Sequence, residues 1–371
     1  MTQEPINIQS ACTQTQLIHD LVSAKSVSGA ESNAADVFIR YANQLGFDAS
    51  IDEVGNSIAH IGTPLDQATK HVVLLGHIDT VPGDIPVRIE HTETQGTILH
   101  GRGSVDAKGS LATMLIAASE SELPDGVCLT VAGAVGEETD SIGARFLVDQ
   151  WSPDACVIGE PSSATGVTLG YKGILRASVS ATRPNAHSAG KDPSANDELI
   201  SWWSSVLEKL NVFNSVRSGA FYQVQSTLIK MSSSSDGLYQ HATIDVGFRL
   251  PPDMTPNQLQ SQLDNIESEF ITIEYQGTEQ AYASTRNDPV VRAISSAIRS
   301  QGLRPVPKLK TGTADLNVVA PIWKCPIAAY GPGDSALDHT PNEHLSIDEY
   351  KQSIQILTIA LNTLAIELSA S

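Results

Sequence analysis

Seven side chains that can bind a metal ion or move a proton lie where apolar runs end or where glycines cluster: His77, Asp79, Asp106, Glu137, Glu138, Glu160 and His339. Each alone has a commonplace role, since an isolated HxD caps a turn and paired glutamates after an apolar run open a solvated helix. Gathered in one place, several carboxylates repel one another unless a cation neutralises them, and a divalent metal is the simplest such cation. Imidazole nitrogen mixed with carboxylate oxygen and no thiolate suits zinc, with cobalt or manganese as substitutes, better than calcium or magnesium. Two histidines and three carboxylates exceed one open tetrahedral site and fit two ions about 3.5 to 4 Å apart that share a carboxylate. Asp79 stands two residues after His77, on the same face of an extended strand end. It is placed to receive the second ring N–H of a metal-bound imidazole, which fixes the tautomer.

For those residues to meet, the apolar runs before them must be neighbouring strands. "HVVLLGHID" (71–79), "VCLTVAGAVGEE" (127–138) and "ACVIGEP" (155–161) are near-continuous apolar runs, as strands buried on both faces require. Helical periodicity covers 12–24 and 31–46, the latter closing on Gly46, and "SLATMLIAASES" (110–121) reads as a helix packed on both faces. This alternation predicts an α/β domain with a mainly parallel sheet, whose ligands collect beyond the carboxyl ends of its strands. From residue 174 the pattern changes to a strand (174–181), a helix (194–210), strands 221–231 and 241–249, a helix (255–268) and a strand (271–276), with the serine run 232–235 as the hairpin loop. The order βαββαβ is the ferredoxin-like arrangement. The expectation is a catalytic metal-binding domain formed by 1–173 and 281–371, with 174–280 inserted as a second domain.

With 371 residues, 41% of them hydrophobic, the chain can bury a substantial core. Its 23 basic against 42 acidic residues give a net charge of -19, which argues against nucleic acid or an anionic membrane as a partner. Cys12, Cys128, Cys156 and Cys325 show no CxxC spacing and read as reduced thiols. The first residues lack the basic start and apolar core of a secretory signal, and no apolar run approaches the roughly 18 residues of a membrane helix, so a cytoplasmic location is expected. No GxSxG elbow is present, and Ser104 of "GRGSVD" lacks partners for a serine hydrolase.

"GHIDTVPG", "GRGSVDAKGSLATM", "GEETDSIGA", "GEPS" and "LDHTPNEHL" follow one another as in the dinuclear zinc amidohydrolases that include acetylornithine deacetylase, succinyl-diaminopimelate desuccinylase and glutamate carboxypeptidase. The chain resembles this family over nearly its whole length. The resemblance implies that His77 and Glu160 hold one zinc, Glu138 and His339 the other, that Asp106 bridges them, and that Glu137 is the general base. It also implies that the inserted domain is a lid through which two copies form a homodimer, and that His187 of "NAHSAG" reaches the developing oxyanion in the neighbouring subunit. Arg249 in "DVGFRLPP" matches the family's clamp on a substrate carboxylate. Thr313 in "TGTADLNVV" is a candidate substrate hydrogen-bond donor, with Asp315 and Asn317 as further candidates.

"GRGSVDAKG", "TLGYKG" and "YGPGDSALDHTPNEHL" are most similar to the family members that release lysine or ornithine from a small acidic amino-group carrier protein, or from the N-acetyl amino acid. By that resemblance Tyr171 and Lys172 contact the carrier's carboxylates. A patch of Lys172, Arg176, Arg183, Lys191, Lys308 and Lys310 would offset the repulsion between two acidic proteins. Acetylornithine deacetylase and succinyl-diaminopimelate desuccinylase are the rival activities of the same chemistry. A non-catalytic binding module is the rival outside it, and the intact base Glu137 argues against that.

Overall fold

In the computed structural model, which describes residues 8–370 apart from 94, 95, 188 and 267 and the side chains of 8–13, the three apolar runs pair as parallel strands. Lys70–His77 lies between Val127–Ala134 and Ala155–Gly159, and Ile327–Ala329 adds a fourth parallel strand beside Ala155–Gly159. Antiparallel strands flank this centre, Ser57–Gly62 and then Asp48–Ile51 on one side and Gly166–Tyr171 on the other. The fold is thus mixed α/β with a mainly parallel central sheet. Helix Lys108–Ser119 is buried at almost every residue, in keeping with apolar side chains on all its faces; its polar Lys108, Ser110 and Thr113 are buried too. It packs on the Lys70–His77 and Val127–Ala134 strands, with Ile8–Ser23 and Ile347–Ser369 against it.

The register determines what emerges at the carboxyl end of the sheet. Gly76 pairs with Gly159, so His77 and Glu160 leave the sheet side by side. A Cβ on Gly159 would stand 3.1 Å from the Gly76 Cα, so two glycines permit this approach. The strands end at His77, Ala134 and Gly159, earlier than their apolar runs suggest, because the polar residues beyond them turn away into loops. The short flanking strands escape a reading based on long apolar runs. So does a small antiparallel sheet of His344–Ser346, Gly96–His100 and Arg88–Thr92, whose strands hold only one or two large apolar residues each. Cys128 and Cys156 are buried free thiols and Cys325 is partly buried; the Cys12 side chain lies outside the described residues.

The chain divides into two units. The second comprises Tyr171–Ala283 with Leu309–Thr313, three residues longer at each end than 174–280, and the first comprises the rest. In the second unit four antiparallel strands lie in the order Gln225–Ser235, Tyr239–Leu250, Gly173–Pro184 and Ile271–Glu279. Alternate residues of the two inner strands, from Leu175 to Ala181 and from Ala242 to Leu250, meet Leu199, Trp202, Val206 and Leu210 of helix Ala195–Asn214 in one core. Capping boxes open both helices of this unit, Ser194 with Asp197 and Thr255 with Gln258. The serine run is not the hairpin loop: Ser232–Ser235 continue the first strand to its end. The turn falls at Asp236–Leu238, where the Asp236 carboxylate accepts the N–H groups of Leu238 and Tyr239 and Gly237 takes a φ of 94°. Among the described residues no helix is long and apolar enough to cross a membrane.

Candidate metal centre

All five expected ligands sit at a strand end or in a loop fastened to one. His77 is the last residue of its strand, Glu160 follows Gly159, and Glu137 and Glu138 lie in the turn after Ala134. Asp106 precedes helix Lys108–Ser119, and its peptide bond to Ala107 is cis. His339 stands in the loop before the His344–Ser346 strand with a φ of 61°, a left-handed conformation that histidine accepts more readily than most residues.

Asp106 is central to the geometry. Its Oδ1 lies 3.2 Å from Nε2 of His77 and its Oδ2 lies 3.0 Å from Nε2 of His339. The same His77 nitrogen is 4.0 Å from Oε1 of Glu160, and the same His339 nitrogen 3.0 Å from Oε1 of Glu138. Two sets of three potential ligands share Asp106: His77, Asp106 and Glu160, then Asp106, Glu138 and His339, with ligand atoms within 4.8 Å of one another in each set. A third set, His77, Glu137 and Glu138, brings Glu137 to the same centre.

Charge is unbalanced there. Burial opposes a positive His77, yet hydrogen bonds to Asp106 and Asp79 hold its imidazole well above the ordinary value. The hydrogen bond to Asp106 likewise lifts His339 to about 9. Burial pushes Glu137 well up, only partly offset by His77 and reinforced by the charges of Asp315, Glu160 and Asp106; burial raises Glu138 as well. Asp106 itself is held far below the carboxylate range, because bonds from His339 and His77 outweigh its burial. Even with both imidazoles protonated, Asp79, Asp106, Glu137, Glu138 and Glu160 leave excess negative charge. Nitrogen and oxygen donors around that excess are the chemistry of a divalent-cation site.

Asp79 is fully buried and does more than face His77. Its Oδ1 is 3.4 Å from His77 Nδ1, whose nearer acceptor is the Asp79 backbone oxygen at 3.1 Å. The two carboxylate oxygens accept the backbone N–H groups of Glu137 and Glu138, each at 3.1 Å, and the Ser28 hydroxyl donates at 2.7 Å. Ser28 has no motif around it to signal this role. Asp315 is buried in the first unit, where burial raises it to about 7. Asn317 accepts the Ala314 N–H at 3.0 Å and so caps its own helix.

The remaining expected residues belong to the second unit. Arg249 donates Nη1 to the Thr313 hydroxyl at 2.8 Å, so the two form one polar group in which Thr313 accepts. His187 lies in an exposed loop, its Nδ1 accepting the Ala189 N–H at 3.1 Å. Lys172 and Tyr171 require correction as contacts to a carrier's carboxylates, since both are buried. The Lys172 ammonium donates to Ala220 O, Gln223 O and Gln225 Oε1, and burial lowers it to about 8. Lys310 stands over the Tyr171 ring at 5.5 Å. Arg183 of the basic patch is engaged by Glu198 at 2.6 Å.

The pattern of peptidase family M20/M25/M40 matches residues 73–363, a span that contains the whole centre. The chain belongs to this family. Among its relatives, the LysW-lysine hydrolase of Deinococcus radiodurans is 44% identical, covering 94% of this chain and 96% of its own. A LysW-lysine/LysW-ornithine hydrolase of Saccharolobus islandicus is 28% identical, covering 94% and 95%. An M20 family dinuclear metal binding peptidase of Bacillus subtilis shares the fold, with a TM-score of 0.68 at 12% identity over 97% of this chain and 98% of its own. In this M20 chain the residues of the centre come from five separate stretches of sequence, and the sheet register is what joins two of them.

Proposed function

We propose that this chain is a metal-dependent amide hydrolase that releases lysine or ornithine from a LysW-linked precursor in lysine or arginine synthesis. The observation that carries the reading is the division of Asp106 between His77 and His339 at 3.2 and 3.0 Å, which builds two ligand sets around one carboxylate. The 44% identical relative supports the substrate. His77 and Glu160 would hold one ion, Glu138 and His339 the other, and Asp106 both. Zinc suits this donor set, with cobalt or manganese as substitutes. Such ions supply Lewis acidity toward water and toward the amide carbonyl.

The chain's own residues do the rest. Glu137, partly buried beside the ligands, takes a proton from the water that attacks the carbonyl carbon. It returns that proton to the amine nitrogen as the C–N bond breaks, so that a carboxylate and a free amino acid leave. Arg249 and Thr313 would grip the carboxylate of the substrate, and His187 would donate to the carbonyl oxygen as negative charge grows there. The second unit, with its βαββαβ order, would act as a ferredoxin-like lid and carry the homodimer contact. Its edge strand Gln225–Ser235 is exposed along its length and offers an unpaired ladder to a second copy. A cytoplasmic location accords with the reduced thiols.

Assay of the zinc-loaded protein on LysW-lysine, LysW-ornithine, N-acetyl-lysine, N-acetyl-ornithine and succinyl-diaminopimelate tests the reading. A carrier conjugate should be turned over best, and preference for the succinyl compound would overturn the substrate assignment.

A further inference from the structure

Glu343 stands four residues beyond His339 and its carboxylate is fully buried. Its Oε1 accepts the backbone N–H groups of Val105 at 3.0 Å and of Asp106 at 3.1 Å. Its Oε2 accepts Nη1 of Arg102 at 2.8 Å, and Arg102 passes Nε on to the carbonyl of Gly83 at 3.0 Å. The Gly101 N–H returns to the Glu343 carbonyl at 3.4 Å. One side chain therefore fastens three loops of the first unit: the one that follows His77 and Asp79, the one that carries Asp106, and the one that carries His339. A buried carboxylate is tolerable only with its charge paired and its oxygens bonded, and both conditions are met here. The two N–H groups would otherwise be buried donors with no acceptor.

We propose that Glu343 is a positioning residue, which holds the Asp106 backbone so that its carboxylate presents one oxygen to each ligand set before any ion arrives. The inference rests on the dinuclear reading above. The bond that matters is Oε1 to the Val105 and Asp106 N–H groups, so shape outweighs charge. Glutamine keeps that oxygen in place. Aspartate keeps the charge but is one methylene too short to reach both N–H groups and Arg102 together. Alanine loses everything.

The test is Co2+ titration of the metal-free full-length protein, followed by the visible absorption of the bound ion, whose bands report coordination geometry. Wild type should bind two Co2+ per chain. E343A and E343D should bind Co2+ at least ~10-fold more weakly and with altered bands, the range found when partners of metal ligands are removed. E343Q, which keeps an oxygen for the two N–H groups but turns its amide NH2 toward Arg102, should fall between wild type and E343A. A residue that merely supported stability would lower the melting temperature of the metal-free protein without moving the Co2+ bands. Should E343A not fold, E343D carries the same expectation with the charge retained. Wild-type affinity and bands in E343D or E343A would overturn the clamp while leaving the dinuclear reading intact, and so would an E343Q as weak as E343A. Failure of the wild type itself to bind two Co2+ would overturn the reading and the clamp together.

Discussion

The carboxylate of Asp79 and the backbone of Glu137 are joined by a hydrogen bond of 3.1 Å, and the other Asp79 oxygen takes the Glu138 N–H at the same distance. One buried acid thus orients His77 and sets the turn that carries both glutamates. Asp79→Ala should lower kcat roughly 10- to 100-fold and weaken metal binding in step, since it releases a ligand and the proposed base together. Ser28→Ala removes only the hydroxyl that donates to the Asp79 carboxylate and leaves its two backbone N–H donors in place, so it should lower kcat less than Asp79→Ala does. Steady-state rates with metal content measured on the same samples check both. Full activity in Asp79→Ala would remove it from the site.

Glu137 belongs to only one of the three ligand groupings, the one that does not contain Asp106. Its substitution should separate chemistry from metal binding. Glu137→Ala and Glu137→Gln are expected to keep two ions per chain and to lose at least ~100-fold in kcat. An unchanged kcat, or a loss of metal that tracks the loss of rate, would show that Glu137 is not the proton carrier.

The centre was legible because its residues terminate apolar runs. His77, Glu137, Glu138 and Glu160 stand at or just beyond the carboxyl ends of three parallel strands, and a parallel sheet delivers such positions to one place. Asp106 and His339 were legible by motif alone, since neither follows a strand of that sheet. Lys172 could not be read correctly, because two of its three acceptors are backbone carbonyls about fifty residues away, which any sequence can supply. The same holds for Glu343, whose partners are the N–H groups of Val105 and Asp106. Serine is as acceptable on an exposed strand as in a loop, so the run 232–235 did not reveal that Asp236 and Gly237 make the turn.

Metal removal should affect stability as well as rate. Five carboxylates gathered around two histidines repel one another when no cation lies among them. Chelation is expected to abolish hydrolysis, and Zn2+ or Co2+ to restore it. Each ion at about 100 times its dissociation constant should add ~2.7 kcal/mol to unfolding. Calorimetry with and without chelator measures this, and a melting temperature and a rate both indifferent to chelation would exclude the metal centre.

His71, on the same strand as His77 but at its other end, should govern an acid transition. Its Nε2 lies 2.7 Å from the Thr130 hydroxyl, which also lies 2.7 Å from Nδ1 of His60, and the Trp151 ring meets it edge-on. Burial, aided by the charge of His60, lowers it from 6.5 to about 4. Between those values the unfolded chain holds a proton that the folded chain refuses, so stability rises with pH across the window. The contribution is complete above about pH 6.5 and lost as the pH falls toward 4. The metal-free wild type should lose about 2 kcal/mol more than His71→Gln between pH 7 and 5 in urea unfolding. Equal losses in the two proteins would refute the assignment.

Arg249 and Thr313, 2.8 Å apart within the second unit, allow substrate binding to be tested apart from the metal centre. A guanidinium can offer two parallel N–H donors to a carboxylate while a third holds Thr313, whereas an ammonium on a flexible stem cannot hold that plane. Arg249→Lys keeps the charge and should still raise KM about tenfold, with kcat changed less and metal content unchanged. Thr313→Val removes one acceptor from the guanidinium, and should lower kcat/KM by roughly two- to tenfold, the worth of a single hydrogen bond. Kinetics on a carrier-linked and an N-acetyl substrate would locate the contact: equal effects on both place the gripped carboxylate on the amino acid, and an effect confined to the conjugate places it on the carrier. An unaltered KM in Arg249→Lys on both substrates would mean that Arg249 serves only to hold Thr313.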